Sequence, residues 1–199
     1  SSVTNESNRN DSQICKKNPC FKRFLLQYGY EEVLKWNFDE TVEKLRLHGK
    51  CAVNGFTGFA KNMISSGAVH EYYSNGSFIL YTSPIVDTLE KLAEDFTEYH
   101  YPNTVLGVNS RNRPTRVYTK DDLKHTSIKE MREQADSGAI IVLALSVQGV
   151  RYADEPEQQD KSVNTKYADL LDVDIDLWIK DERHLQYNGK VTQEVFGKL

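Results

Sequence analysis

The chain has 199 residues, enough for one sizeable hydrophobic core and short for two. Apolar residues make up 39% and charged residues 27%, the proportions of a globular chain and not of a disordered one. A net charge of -4 gives no overall pull toward nucleic acid or anionic membrane, and the longest apolar run, Ala139–Val147, falls well short of the roughly 18–20 residues of a membrane span.

In chain order, residues 1–14 are rich in Ser and Asn and read as a flexible polar arm. Asn18-Pro19 is a helix start, and Phe21, Phe24, Leu25 and Tyr28 follow at helical spacing until Gly29. Tyr30–Trp36 reads as a second helical piece. Asp39 then caps a helix over Glu40–His48, with Val42, Leu45 and Leu47 as its apolar stripe and Gly49 closing it. Cys51 falls in an expected core strand, followed by a glycine turn and a short helix over Gly58–Gly67. Ser77–Ser83 reads as a strand. Ser83-Pro84 starts a helix whose face is Ile85, Leu89, Leu92, Ala93 and Phe96.

Arg113–Thr119 is a short strand that Pro114 assigns to a sheet edge. Asp121–Asp136 reads as one charged helix, stopped by Ser137-Gly138, with Leu123, Ile128 and Met131 as its apolar contacts. Ala139–Val147 has the unbroken apolar character of a strand buried on both faces. Tyr152–Lys166 is polar and reads as a loop. Val173, Ile175, Leu177 and Ile179 alternate with Asp172, Asp174, Asp176 and Trp178, the period-two pattern of a half-buried strand. Asn188-Gly189 between His184–Tyr187 and Lys190–Phe196 signals a C-terminal β-hairpin. With helices crowding the first half and strands the last third, the expected fold is α+β. A helical N-terminal third packs on a twisted, mostly antiparallel sheet, all within a single domain over residues 15–199.

Three cysteines cannot all pair within one chain. Cys15 and Cys20 are able to close a small loop, and three reduced thiols are the other reading. Asn5, Asn10 and Asn75 each match the N-glycosylation pattern. The start at Ser1-Ser2-Val3-Thr4 fits a processed or trimmed chain. Together these lean toward secretion.

The five histidines are scattered, and there is no His-x-x-x-His, Cys-x-x-Cys, phosphate-binding glycine loop or nucleophile elbow, so no metal site is expected. Asp172, Asp174 and Asp176 would lie on one strand face at roughly 7 Å intervals, and a solvated outer face is the preferred reading over a cation site.

A strand ending in Tyr81-Thr82-Ser83, followed at once by a helix, resembles the Ser-Thr-Ser region of ADP-ribosyltransferases. Asn54-Gly55-Phe56-Thr57 resembles that family's first nicotinamide-contacting strand, and Ala139–Gly149 its buried third strand; the likeness covers about residues 46–150. It implies a toxin or effector that transfers ADP-ribose from NAD to a macromolecular target, protein or nucleic acid. Asn54, Gly55 and Thr57 would line the nicotinamide pocket, with Tyr81, Thr82 and Ser83 as its floor and Arg46 as a phosphate or ribose contact. Phe56 or Tyr81 would stack on the nicotinamide ring. Glu157, in Glu155-Pro156-Glu157, would be the catalytic carboxylate, with Asp174 the second candidate. The chain departs from the family in having Tyr81 at the first serine and Asn54 where an Arg or His would hold the cofactor.

Two other classes stay open. A metal-independent ribonuclease needs a base, an acid and a cation beside the phosphate. His125 and His184, with Arg111, Arg113, Arg116, Lys120 and Lys124, supply those types. A non-enzymatic binding module would use an aromatic face built from Tyr72, Tyr73, Phe78, Tyr99 and Tyr101.

Overall fold

Two runs of consecutive apolar residues, Phe78–Tyr81 and Ile140–Leu145, decide the architecture. A strand facing solvent on one side alternates polar and apolar residues, whereas a strand covered on both sides has no reason to. Both runs are wholly or almost wholly buried, and they pair with each other. The computed structural model describes residues 29–53, 61–72, 75–85, 87, 89, 92, 115–151 and 167–181. The polar arm, Cys15, Cys20, the Tyr152–Lys166 segment and the expected C-terminal hairpin lie outside them.

By its contacts the chain divides into two compact units, Ser1–Tyr72 with Tyr101–Ser110, and Tyr73–His100 with Arg111–Leu199. In the first, helix α1 spans Tyr30–His48 and helix α2 spans Lys61–Tyr72. The two expected pieces of α1 are one helix, and Asp39 sits inside it, paired with Lys35 one turn back. Glu31 and Glu32 in its first turn and Arg46 and His48 in its last complement the helix dipole. Its buried face is Val33, Leu34, Phe38, Thr41, Val42 and Leu45, while Leu47 is exposed. Gly49 closes it as expected, with its N–H donating to Leu45 O at 2.9 Å. Helix α2 runs beyond Gly67, which lies in its interior, and Cys51 is a half-buried free thiol outside any strand.

The second unit contains strands β1 (Ser77–Ser83), β2 (Thr115–Tyr118), β3 (Ile140–Ser146) and β4 (Leu177–Lys180). They form one sheet in the order β2-β3-β1-β4, and every pairing is parallel. This corrects the mostly antiparallel α+β expectation. The architecture is α/β, as two doubly buried strands separated by a helical stretch require. Among the described strands, β2 is at an edge, the position expected from Pro114.

The stretch expected as one helix from Asp121 is broken in two. A 3-10 turn over Lys120–Lys124 is followed by helix α3 over Ile128–Asp136, each opened by its own capping box. In α3, Ser127 Oγ accepts from Glu130 N at 3.1 Å, and the Glu130 carboxylate accepts from Ser127 N at 2.8 Å. Ile128, Met131 and Ala135 on α3 join Phe78 and Leu80 of β1 and Ile141, Leu143 and Leu145 of β3 in one core. Ile79 and Tyr81, of opposite parity, point to the other side of the sheet and are also fully buried. Helix α4, Val147–Arg151, leaves directly from β3, and a 3-10 turn over Ala168–Leu171 precedes β4.

The alternating stretch from Asp172 is a strand only over its last part. Asp176 stops the ladder from starting earlier: its carboxylate accepts from Phe78 N at 2.8 Å, and its own N–H donates to Phe78 O at 3.0 Å. Val173 and Ile175 pack on the core as expected, but beyond Asp176 it is Trp178 that does so. The alternation changes phase there.

Candidate functional site

Parallel strands all end on the same edge of their sheet, and here that edge carries most of the hydroxyl chemistry singled out in the sequence. Ser83 ends β1 directly opposite Ser146, which ends β3. Thr82 and Ser83 are fully buried. Thr82 Oγ1 accepts from Trp178 Nε1 at 2.9 Å, and Thr82 O accepts from Asp181 N at 2.9 Å, so Thr82 ties β4 to β1. Ser83 Oγ accepts from Ile85 N at 3.1 Å, the capping role that Ser83-Pro84 implies. Residues 87, 89 and 92 beyond it are helical, and Leu89 and Leu92 are buried as expected. Tyr81 is fully buried, which leaves it no open ring face for a nicotinamide. These three residues form the floor of the edge and hold its scaffold.

What this edge presents to solvent comes from its neighbours. Ser146 is half-buried, and its Oγ accepts from Gly149 N at 3.0 Å. A Cβ at position 149 would lie 3.2 Å from Ser146 Oγ and 3.5 Å from the Tyr167 hydroxyl, so glycine lets Ser146 and the buried Tyr167 pack closely at this corner. Lys120, Gln148 and Lys180 are exposed. Lys180 Nζ sits 4.1 Å above the Trp178 ring, a cation–π contact that fixes a positive charge beside the end of β1.

Asp174 is at the other end. It precedes Asp176, which bonds to Phe78 at the start of β1. It is therefore separated from Ser83 by about the length of that strand, roughly 20 Å at ~3.3 Å per residue. There Arg132 of α3 donates to Asp174 O at 3.0 Å and Asp176 Oδ2 at 2.7 Å, while its Nε and Nη2 hold Asp136. Burial opposes the charge of Arg132, but the bonds to Asp136 and Asp176 outweigh it and raise the pKa. No spacing rule in the sequence connects Arg132 with Asp176, so sequence reasoning missed this clamp. The structure does not bring Asp174 together with Thr82 and Ser83.

Arg46 belongs to the N-terminal unit. It is exposed, pairs with Glu43 at 3.3 Å, and lines a shallow groove of about 260 Å3 with Lys35, Phe38, Asp39, Val42, Glu43 and Glu71. Both cations of that groove face carboxylates, which weakens any claim on a phosphate. Asn54, Gly55, Phe56, Thr57, Glu157 and His184 lie outside the described residues. His125 is exposed, Lys124 pairs with Asp121, and Arg116 stacks on Tyr118 at 4.4 Å. Phe78, expected on an aromatic binding face, is in the core.

Among the described residues, no group of three or more His, Cys, Asp or Glu side chains is arranged to hold a metal, and no helix is long and apolar enough to cross a membrane. A scan against protein-family models and searches of curated proteins and of solved structures find no match to this chain.

Proposed function

We propose that the α/β unit binds a phosphorylated nucleotide, with NAD as the ligand to test first, at the carboxyl edge between β1 and β3. The observation that carries this reading is the strand order. From β1 the chain goes to β2 on one side of the sheet, and from β3 it goes to β4 on the other. Neighbouring strands whose chains depart in opposite directions open a crevice outside their carboxyl ends, where open parallel sheets take their ligands. Ser146, Gln148 and Lys180 offer hydroxyl, amide and ammonium groups to phosphate and ribose oxygens there.

ADP-ribose transfer to a macromolecule, in a secreted toxin or effector, is the chemistry that the transferase resemblance adds. Such transfer needs a carboxylate to hold the ribose and stabilise the oxocarbenium-like state as nicotinamide leaves. Asp174, at the amino edge, is poorly placed for that. Glu157 follows α4 in sequence, and α4 begins where β3 ends, so Glu157 is the carboxylate to test.

NAD at a hundredfold its Kd should stabilise the folded chain by about 2.7 kcal/mol, a melting shift of several degrees. In a cell lysate, Glu157→Ala should abolish nicotinamide release while keeping the melting shift, and Asp174→Ala should keep both. A melting shift without release in the wild type would leave a nucleotide-binding module. No shift with NAD, AMP or inorganic phosphate would sink the reading.

A further inference from the structure

We propose that α2 is an acid-sensitive latch, docked only while the His70 imidazole is neutral, because docking buries His70 Nε2 where no acceptor among the described residues meets it. Ser66 and His70 are four apart, so they share one face of the helix a turn from each other. Val69, beside that face, is buried, and Ile64 and Ala68 on the opposite side of the helix are buried as well. Ser66 is 1% exposed, and neither its Oγ nor His70 Nε2 reaches solvent or a hydrogen-bond partner among the described residues. A neutral imidazole tolerates this. An imidazolium in the same place would bury an Nε2–H with no acceptor among those residues, in a side chain that is otherwise half-buried.

Burial holds the His70 pKa below its ordinary value of 6.5. Helix α1 packs against α2 and brings Lys35, Asp39, Glu43 and Arg46 to the groove beside Glu71. These form the pairs Lys35–Asp39 and Arg46–Glu43. Glu71, next to His70, points about 100° away around the helix. His70 Nε2 has no carboxylate partner among the described residues, and burial is the cause that shifts the group. Since the folded value lies below the unfolded one, the docked state is fully stable above pH 6.5 and loses stability as the pH falls through the folded value. For one proton, the opening equilibrium rises by up to about tenfold per pH unit in that window.

Hydrogen exchange of the full chain, read as protection factors at pH 7.5, 6.0 and 5.0, tests the latch. Protection of the amides of residues 64–70 should drop between pH 7.5 and 5.0, by up to about tenfold per pH unit, while β1 and β3 hold theirs. His70→Gln and His70→Leu should each remove the pH dependence, whereas His48→Gln, an exposed histidine of the same unit, should keep it. Unchanged wild-type protection at pH 5.0, or an equal loss in the His70 variants, would overturn the proposal.

Discussion

Replacing Gly76 with alanine should destabilise the α/β unit by about 3–5 kcal/mol, among the largest effects a single methyl group has. Gly76 has φ +99°, a backbone conformation that costs an L-residue roughly 1–2 kcal/mol. The methyl carbon would also lie 2.4 Å from Ala135 O and 2.8 Å from Gly138 Cα. Both contacts are backbone, so neither yields by turning a side chain. Relief would require pulling β1 away from the end of α3, and Ser77 N, bonded to Ala139 O at 3.0 Å, would move with it. Gly138→Ala is the control. Its φ is +106°, but nothing lies within 4 Å of the added atom, so only the conformational cost of roughly 1–2 kcal/mol applies. Urea unfolding of the two variants checks this: Gly76→Ala should lose at least twice as much stability as Gly138→Ala, and equal losses would show that the close approach is not there.

Arg132→Met should cost about 2–3 kcal/mol, since hydrogen bonds to charged groups are worth about 1.5–3 kcal/mol each and partial exposure discounts them. Arg132 and Asp176 are 19% and 34% exposed at the side chain, enough to weaken the charge term and too little to remove it. The variant keeps the volume of the stem and loses the guanidinium that joins α3 to Asp174 O and Asp176. Asp176 would still accept from Phe78 N, so the start of β1 should survive while the approach to β4 loosens. Hydrogen exchange should show β4 opening before β1 and β3. Lys44→Met breaks only the exposed, solvent-screened pair with Glu40 and should leave stability essentially unchanged. Similar losses for Arg132→Met and Lys44→Met would remove the clamp from the account.

The sequence made legible what depends on neighbours along the chain. The strand from Ser77 to Ser83, the buried run of β3, the edge position of β2 and the closing role of Gly49 all follow from local pattern. The direction of the strands did not, because apolar runs of this kind say that both faces are covered and not which way each strand points. The Asn188-Gly189 hairpin signal drew the reading toward antiparallel pairing. Length and helical spacing between the two buried runs favoured the parallel answer. The break between the 3-10 turn and α3 was readable in Ser127-Ile128-Lys129-Glu130, a capping box set inside what looked like continuous helix. Alternation through Asp172–Trp178 misled because Asp176 spends its carboxylate on the Phe78 N–H before the ladder begins.

The candidate site was legible in the same uneven way. Thr82 and Ser83 were marked as a strand–helix junction, and that is where they are. Their hydroxyls, though, serve Trp178 and Ile85, a long-range and a local partner that spacing alone does not choose between. Ser146 drew no attention in the sequence because a lone serine after an apolar run carries no motif. Only the register of β1 against β3 sets it opposite Ser83.

Amide chemical shifts followed through an NAD titration of the full chain test the central claim most directly. The account predicts saturable shifts at Ser146, Gln148, Lys180 and Asp181, on the carboxyl edge, with Asp174 and Asp176 at the amino edge unmoved. Shifts confined to the amino edge, or none at any NAD concentration, would contradict it.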